Sequence, residues 1–150
     1  MKWSFGNSIF LTKISIAVFS VAYLAVVVTC PVLVRWFLAV SSTAEHINGT
    51  FFMATIYMAA VPIGILLWML RQLISDIGKE EIFTYENIRR LRGISWMCIL
   101  VAVICLVSMG YYLFWGVIGA CMAFMGLLIR VIKNVFERAK QLKDENDYTI

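Results

Sequence analysis

The amino-acid sequence predicts an all-α fold, a polytopic transmembrane four-helix bundle with both the N and the C terminus in the cytosol. Hydrophobic residues make up 62 % of the 150 residues and charged residues only 15 %, whereas a soluble domain carries about 25 % charged residues. The apolar residues form three long uncharged stretches with lysines and arginines at their ends. Basic residues in these places are typical of membrane anchors, so the formal charge of +4 indicates contact with membrane lipid and no direct binding of nucleic acid.

The first uncharged stretch, Ile14 to Val34, predicts a retained membrane helix rather than a cleaved signal peptide. It contains 21 residues, more than the roughly 7–15 apolar residues of a signal-peptide core. No small-x-small cleavage site follows, because Cys30-Pro31-Val32 leads directly to Arg35. The second stretch, Thr50 to Leu70, predicts the next helix in the same way.

The third uncharged stretch, Gly93 to Ile129, predicts two helices joined by a tight turn. As one helix, its 37 residues would rise about 55 Å at 1.5 Å per residue, against a hydrocarbon core of roughly 30 Å. Gly110-Tyr111-Tyr112 and Trp115-Gly116 supply the turn, with aromatic residues typical of a membrane surface. The chain is therefore expected to form one transmembrane domain of four helices, at about 12–36, 51–77, 85–111 and 114–143.

The lysines and arginines predict the orientation of these helices. Twelve of the thirteen lie on one side of the predicted bundle, and only Arg35 lies on the other. The positive-inside rule places the side with twelve in the cytosol. This leaves cytosolic elements at 71–92 and 131–150, formed in part by extensions of the last two helices. Between helices two and three, Gly78 is predicted to end a helix in a left-handed conformation and Thr84 to cap the next one.

Residues for catalysis or metal binding are scarce. The uncharged stretches lack the acidic or basic groups that ion-coupled carriers place near the membrane midplane. His46 is the only histidine, so spacing indicates neither a catalytic triad nor a metal site. Cys30, Cys98, Cys105 and Cys121 lie in apolar stretches, and we expect all four to be reduced, buried packing residues. The prediction is no enzyme, no cofactor and no metal.

Small and helix-breaking residues within the helices have two interpretations each. Pairs at four-residue spacing, such as Ala60 with Gly64 and Gly119 with Ala123, favour close packing within the bundle and also allow a homodimer. Pro62 beside Gly64 favours an ordinary proline kink, with a broken-helix binding site as the alternative.

The distinctive polar residues concentrate in the two cytosolic elements. Arg89, Arg90 and Arg92 are predicted to face an acidic tail that contains Asp144. The candidate site combines these arginines with six further residues: Glu86, Asn87, Glu145, Asn146, Asp147 and Thr149. Three interpretations stay open: membrane anchors beside a solvated tail, a structural clamp of bidentate arginine–carboxylate pairs, or a docking surface for a cytosolic partner.

Both cytosolic elements resemble motifs of a known family, the one catalogued as domain of unknown function 2975. The loop motif corresponds to Ile82–Ile94, IFTYENIRRLRGI, and the C-terminal motif to Val135–Ile150, VFERAKQLKDENDYTI. The likeness in layout spans nearly the whole chain, although Tyr148 stands where members tend to have leucine. The resemblance implies a four-helix protein of the bacterial plasma membrane, often encoded beside a small helix-turn-helix regulator.

Three functions are compatible with these features. The leading hypothesis is a non-enzymatic membrane regulator or sensor whose cytosolic face binds a partner, such as a helix-turn-helix transcription regulator. The first alternative is an immunity protein against a membrane-active peptide or bacteriocin, because short outer loops suit that role. The second is a small-solute carrier, which the uncharged interior disfavours.

Overall fold

The computed structural model describes residues 5–40, 48–78 and 84–147, and in these ranges the chain forms four helices. They are α1 (Phe5–Val40), α2 (Gly49–Ile77), α3 (Tyr85–Ser108) and α4 (Phe114–Asp147). Each is long and apolar enough to cross a membrane. The chain is therefore an all-helical, multi-pass membrane protein.

The helix ends follow from local hydrogen bonding. Asn48 caps α2 by accepting a hydrogen bond from the backbone N–H of Thr50, and Thr84 caps α3 through the N–H of Asn87. The prediction for Thr84 is thus confirmed. The prediction of a left-handed Gly78 is wrong, because Gly78 has φ −67° and ψ −15°. Its N–H still bonds the carbonyl of Ile74, 3.1 Å away, so the last turn closes in the right-handed conformation.

The helices differ in length from the sequence expectation. α1 begins at Phe5 and ends at Val40, and α4 continues to Asp147, so both are longer than predicted. α3 stops earlier, at Ser108, and is followed by a turn over 109–113. This turn falls within the long uncharged stretch, where a helix hairpin was required. Pro62 lies inside a continuous α2.

The helices pack in chain order, with α3 between α2 and α4. One core cluster joins Leu73 of α2 to Leu91, Ile94 and Cys98 of α3, and Phe136 of α4 packs against it. Further along, Ala59 packs with Val101 and Cys105, and Met122 lies against both clusters. α1 packs along α2 alone in the described ranges, apart from its contact with the α3–α4 turn.

The end of the helices near the α3–α4 turn is named here the aromatic end. Phe52 is its centre, with ring centroids 5.4 Å from Phe37, 5.6 Å from Tyr112 and 5.2 Å from Trp115. Rings at these distances contribute beyond their buried area. The opposite end, where Lys13, Arg71, Arg92 and Arg130 lie, is named the basic end.

Hydroxyl groups link α2 to α3 near the aromatic end. The hydroxyl of Thr55 lies 2.8 Å from that of Ser108 and 2.6 Å from that of Tyr111. Ser108 also donates to the carbonyl of Ile104, four residues back. Inside a bilayer each hydroxyl needs a protein partner, so this chain of bonds fixes the two helices to each other.

The cysteines depart in one case from expectation. Cys30, Cys98 and Cys105 are buried free thiols, but Cys121 is exposed. The prediction that all four are buried is therefore wrong for Cys121, which lies on a face of α4 that no described helix covers. Gly119, one of the small residues predicted to pack, is buried against Leu106 and Ala102 of α3. The homodimer stays a prediction.

Candidate functional site: the basic end of the bundle

Arg90 connects α2 to α3 at the basic end. Its guanidinium forms an ion pair with Asp76 of α2, and both side chains are only about one-fifth exposed. It also donates to Asn87 at 3.2 Å and pairs with Glu86 at 3.3 Å. A partly buried arginine with three oxygen partners holds one geometry. In the described part of the chain the carboxylates that pair with Arg90 are thus Asp76 of α2 and Glu86 of α3, and a clamp between the arginines and the acidic tail stays a prediction.

Asn87 belongs to the interior of the protein. It is fully buried, its backbone N–H is bonded by the Thr84 cap, and its side chain accepts from Arg90. A buried amide is stabilising only when its hydrogen bonds are made, so Asn87 fixes the start of α3. A residue in this position is not accessible to a partner protein.

The acidic end of α4 contacts the start of α3 through Asp144. The hydroxyl of Tyr85 donates to Asp144 at 3.3 Å, and Lys140 pairs with the same carboxylate at 2.6 Å. The Lys140 ammonium also lies 5.3 Å from the centre of the Tyr85 ring. The hydrogen bond from Lys140 is the main cause that lowers the pKa of Asp144, and Tyr85 and Lys143 make smaller contributions. Sequence reasoning missed Tyr85, although its spacing from Arg89 places it on the same helix face.

The remaining predicted site residues lie near the ends of the same two helices. Arg89 and Arg92, like Glu86 of the Arg90 contact, are exposed on α3. Glu145 and Asn146 are exposed near the end of α4, and Asp147 is its last residue. Thr149 lies outside the described residues. The structure therefore brings Arg90, Asn87 and Glu86 together, while the exposed members occupy two neighbouring helix ends.

A row of apolar side chains on α4 is exposed beyond the uncharged stretch, which ends at Ile129. Val131 is 60 % exposed, Val135 59 % and Leu142 65 %. Their spacing places them on one face of the helix, and Phe136, which packs into the core, lies on a different face. The apolar residues at this end of α4 therefore divide into a packed side and an exposed side.

Two clefts open at the basic end. One lies between α1 and α2, has a volume of about 310 Å³ and is lined by Lys13, Ser20, Arg71 and neighbouring residues. The other lies between α3 and α4, has a volume of about 220 Å³ and is lined by five residues: Arg92, Ser95, Trp96, Arg130 and Lys133. Within the described ranges no group of three His, Cys, Asp or Glu side chains is placed to hold a metal ion.

Comparisons with known proteins agree with the predicted resemblance. A family model described as protein of unknown function (DUF2975) matches residues 20–150 of the chain. Among curated proteins and among solved structures, no match was found.

Proposed function

The chain belongs to the DUF2975 family, and we propose that it is a non-enzymatic protein of the bacterial plasma membrane whose cytosolic face binds a cytosolic protein. The orientation rests on the basic residues of the described ranges, of which all but Arg35 lie towards the basic end or beyond it. Both termini and the charged ends of α3 and α4 are then cytosolic. In this orientation the exposed residues of the candidate site face the cytosol.

The observation that carries the proposal is the exposed apolar face of α4, defined by Val131, Val135 and Leu142. Val135 lies about 9 Å and Leu142 about 20 Å past Ile129 along the helix axis, at 1.5 Å per residue. Leu142 is thus well outside a hydrocarbon core that ends near Ile129. Apolar side chains exposed beyond the hydrocarbon core, as Val135 and Leu142 are, mark a protein interaction site, because burying them is favourable by about 25 cal/mol per Å².

The charge on this face indicates the chemistry of the partner. Arg138 is exposed and lies on the same helix face as Val135 and Leu142 by spacing. An apolar groove with a carboxylate at its rim would complement this surface. A helix-turn-helix regulator is the occupant that the family resemblance implies.

Site-specific photo-crosslinking tests the proposal in native membranes. A photoreactive side chain at Val135 or Leu142 is expected to give the same protein adduct, and Arg138→Glu is expected to weaken that adduct at least about tenfold by removing the charge complement. Arg90 is left unchanged, because its loss would disturb the α2–α3 contact.

The matched control is a photoreactive side chain at Phe124, which lies on the same face of α4 inside the uncharged stretch and is exposed. It is expected to give lipid adducts and no protein adduct. The proposal fails if Val135 and Leu142 yield only what Phe124 yields, or if Arg138→Glu leaves the protein adduct unchanged.

A further inference from the structure

Three cations from two helices converge on the cleft between α3 and α4. Arg92 comes from α3, and Arg130 and Lys133 come from successive turns of α4. Ser95 lies at the floor of the cleft, where its hydroxyl donates to the carbonyl of Gly126 at 2.8 Å. This bond holds the two helices close together, so the backbones that carry the cations border a preformed space of about 220 Å³.

The cleft lies at the boundary of the membrane. Arg92 immediately precedes the uncharged stretch and Arg130 immediately follows it. From Gly93 to Ser108, and again from Phe114 to Ile129, the chain rises about 24 Å, less than a hydrocarbon core of roughly 30 Å. Segments slightly shorter than the core draw both arginines to its edge, where their long side chains reach outward to the depth of the lipid phosphate groups.

The cleft carries an excess of positive charge. Lys133 pairs with Glu137 at 2.7 Å, and its hydrogen bond and charge lower the pKa of the Glu137 carboxyl, with a smaller effect of Arg92. In the described ranges neither Arg92 nor Arg130 has a carboxylate within ion-pair distance. Three cations against one carboxylate leave a net charge of about two, which favours binding of an anion.

The aromatic and apolar surroundings match a lipid molecule. Trp96 is 56 % exposed, and the Arg130 guanidinium lies 6.0 Å from the centre of its ring. Tryptophan at this depth is typical of the membrane interface. Val103, seven residues further along α3, lies on the same face and is half exposed, so an acyl chain can run along the helix from the cleft.

From this geometry we propose that the α3–α4 cleft binds the phosphodiester group of an anionic phospholipid of the surrounding membrane. Arg92 and Arg130 donate to the phosphate oxygens, Lys133 adds a third positive charge, and Trp96 contacts the glycerol region. Bound in this way, the lipid joins the exposed edges of α3 and α4 at the basic end.

Lipid titration of the full-length protein in detergent, read by native mass spectrometry, tests this binding. Three probes are compared: a phosphatidylglycerol, a phosphatidylcholine with the same acyl chains, and inorganic phosphate. We expect phosphatidylglycerol to bind at least about tenfold more tightly than phosphatidylcholine, and inorganic phosphate in the millimolar range not to displace it. Equal binding of the two lipids overturns the proposal, and displacement by inorganic phosphate shows a site for free phosphate instead.

Paired substitutions separate this cleft from general surface charge. Arg92→Gln with Arg130→Gln is expected to weaken phosphatidylglycerol binding at least about tenfold, whereas Arg92→Lys with Arg130→Lys retains most of it. The control pair, Arg89→Gln with Arg138→Gln, removes the same charge from exposed positions at the same end and is expected to change binding less than about twofold. Equal losses in the two glutamine pairs overturn the proposal.

A labelling experiment on the unmodified protein makes the test independent of variant folding. A phosphatidylglycerol with a photoreactive group in its headgroup is expected to label peptides that contain Arg92–Trp96 and Arg130–Lys133. Labelling spread evenly over the basic end, or concentrated on the Lys13 and Arg71 cleft, overturns the assignment.

Discussion

α1 and α3 are both long and apolar enough to cross a membrane, yet they contribute differently to the bundle. Of the 18 most apolar consecutive residues of α3, 44 % are buried inside the protein, against 11 % in α1. α3 lies between α2 and α4, whereas α1 packs along α2 and contacts the α3–α4 turn near its own end, for example through Phe37. Apolar composition therefore identifies the helices that enter the membrane, but not the helix that holds the others together.

The difference follows from the size and polarity of the side chains. α3 presents a buried series at three- and four-residue spacing: Ser95, Cys98, Val101, Ala102, Cys105 and Ser108. Small residues allow close helix approach, and their hydroxyls bond across the contact. Much of α1 is instead a run of valine and other large side chains that are exposed. Such side chains pack as well against lipid as against protein, so they give little drive for association.

Replacing a glycine by leucine is expected to destabilise the protein most where the glycine packs against α3. A Cβ at Gly126 would lie 3.2 Å from Cβ of Cys98 and 3.3 Å from the backbone oxygen of Ser95, and neither can move alone. A Cβ at Gly64 would lie 2.9 Å from the hydroxyl of Tyr23, the end of a side chain that can rotate away. Gly126→Leu is expected to lower the free energy of unfolding by about 3 kcal/mol.

Gly64→Leu is the matched comparison for that prediction, with an expected loss of about 1 kcal/mol, because the Tyr23 side chain must move and its hydrogen bond is lost. Both are measured by titrating the protein from mild detergent into sodium dodecyl sulfate while helix content is followed by circular dichroism. Equal losses at the two glycines would contradict the view that α3 is the more tightly packed helix.

The α2–α3 contact at the basic end is expected to give an intermediate effect. Asp76→Asn keeps the shape of the side chain but removes the carboxylate that pairs with Arg90. Because both side chains are about one-fifth exposed, solvent screens part of the interaction, and the expected loss is about 1–2 kcal/mol. The same unfolding titration measures it.

Glu86→Gln is the control for Asp76→Asn, since it alters a second partner of the same arginine. The Glu86 side chain is 79 % exposed, so its pair with Arg90 contributes about 0.5 kcal/mol or less. A loss at Glu86 as large as the loss at Asp76 would show that burial does not distinguish the two carboxylates.

The membrane helices and the α3–α4 hairpin were predictable because their causes are local. A 37-residue uncharged stretch cannot remain one helix in a bilayer. The Thr84 cap is a local hydrogen bond, so it does not depend on which helices α3 packs against. The partner of Arg90 was not predictable, because Asp76 and the acidic tail offer it the same chemical group and only tertiary packing decides between them.

The α3–α4 cleft was missed for a similar reason. Arg92, Arg130 and Lys133 appear in sequence as ordinary membrane anchors, and they converge only once the hairpin has closed.

The smallest expected effect is at the α1–α2 contact. Tyr23→Phe keeps the ring but removes the hydrogen bond from its hydroxyl to the carbonyl of Ala60, 2.9 Å away. Hydrogen bonds between membrane helices contribute about 0.6 kcal/mol on average, and we expect a loss of that size in the unfolding titration. Ser20→Ala is the control, because its hydroxyl bonds the carbonyl of Ile16 in its own helix. A loss of more than about 2 kcal/mol for Tyr23→Phe alone would exceed the range known for such bonds. It would then place α1 beside α3 among the helices that determine the stability of the bundle.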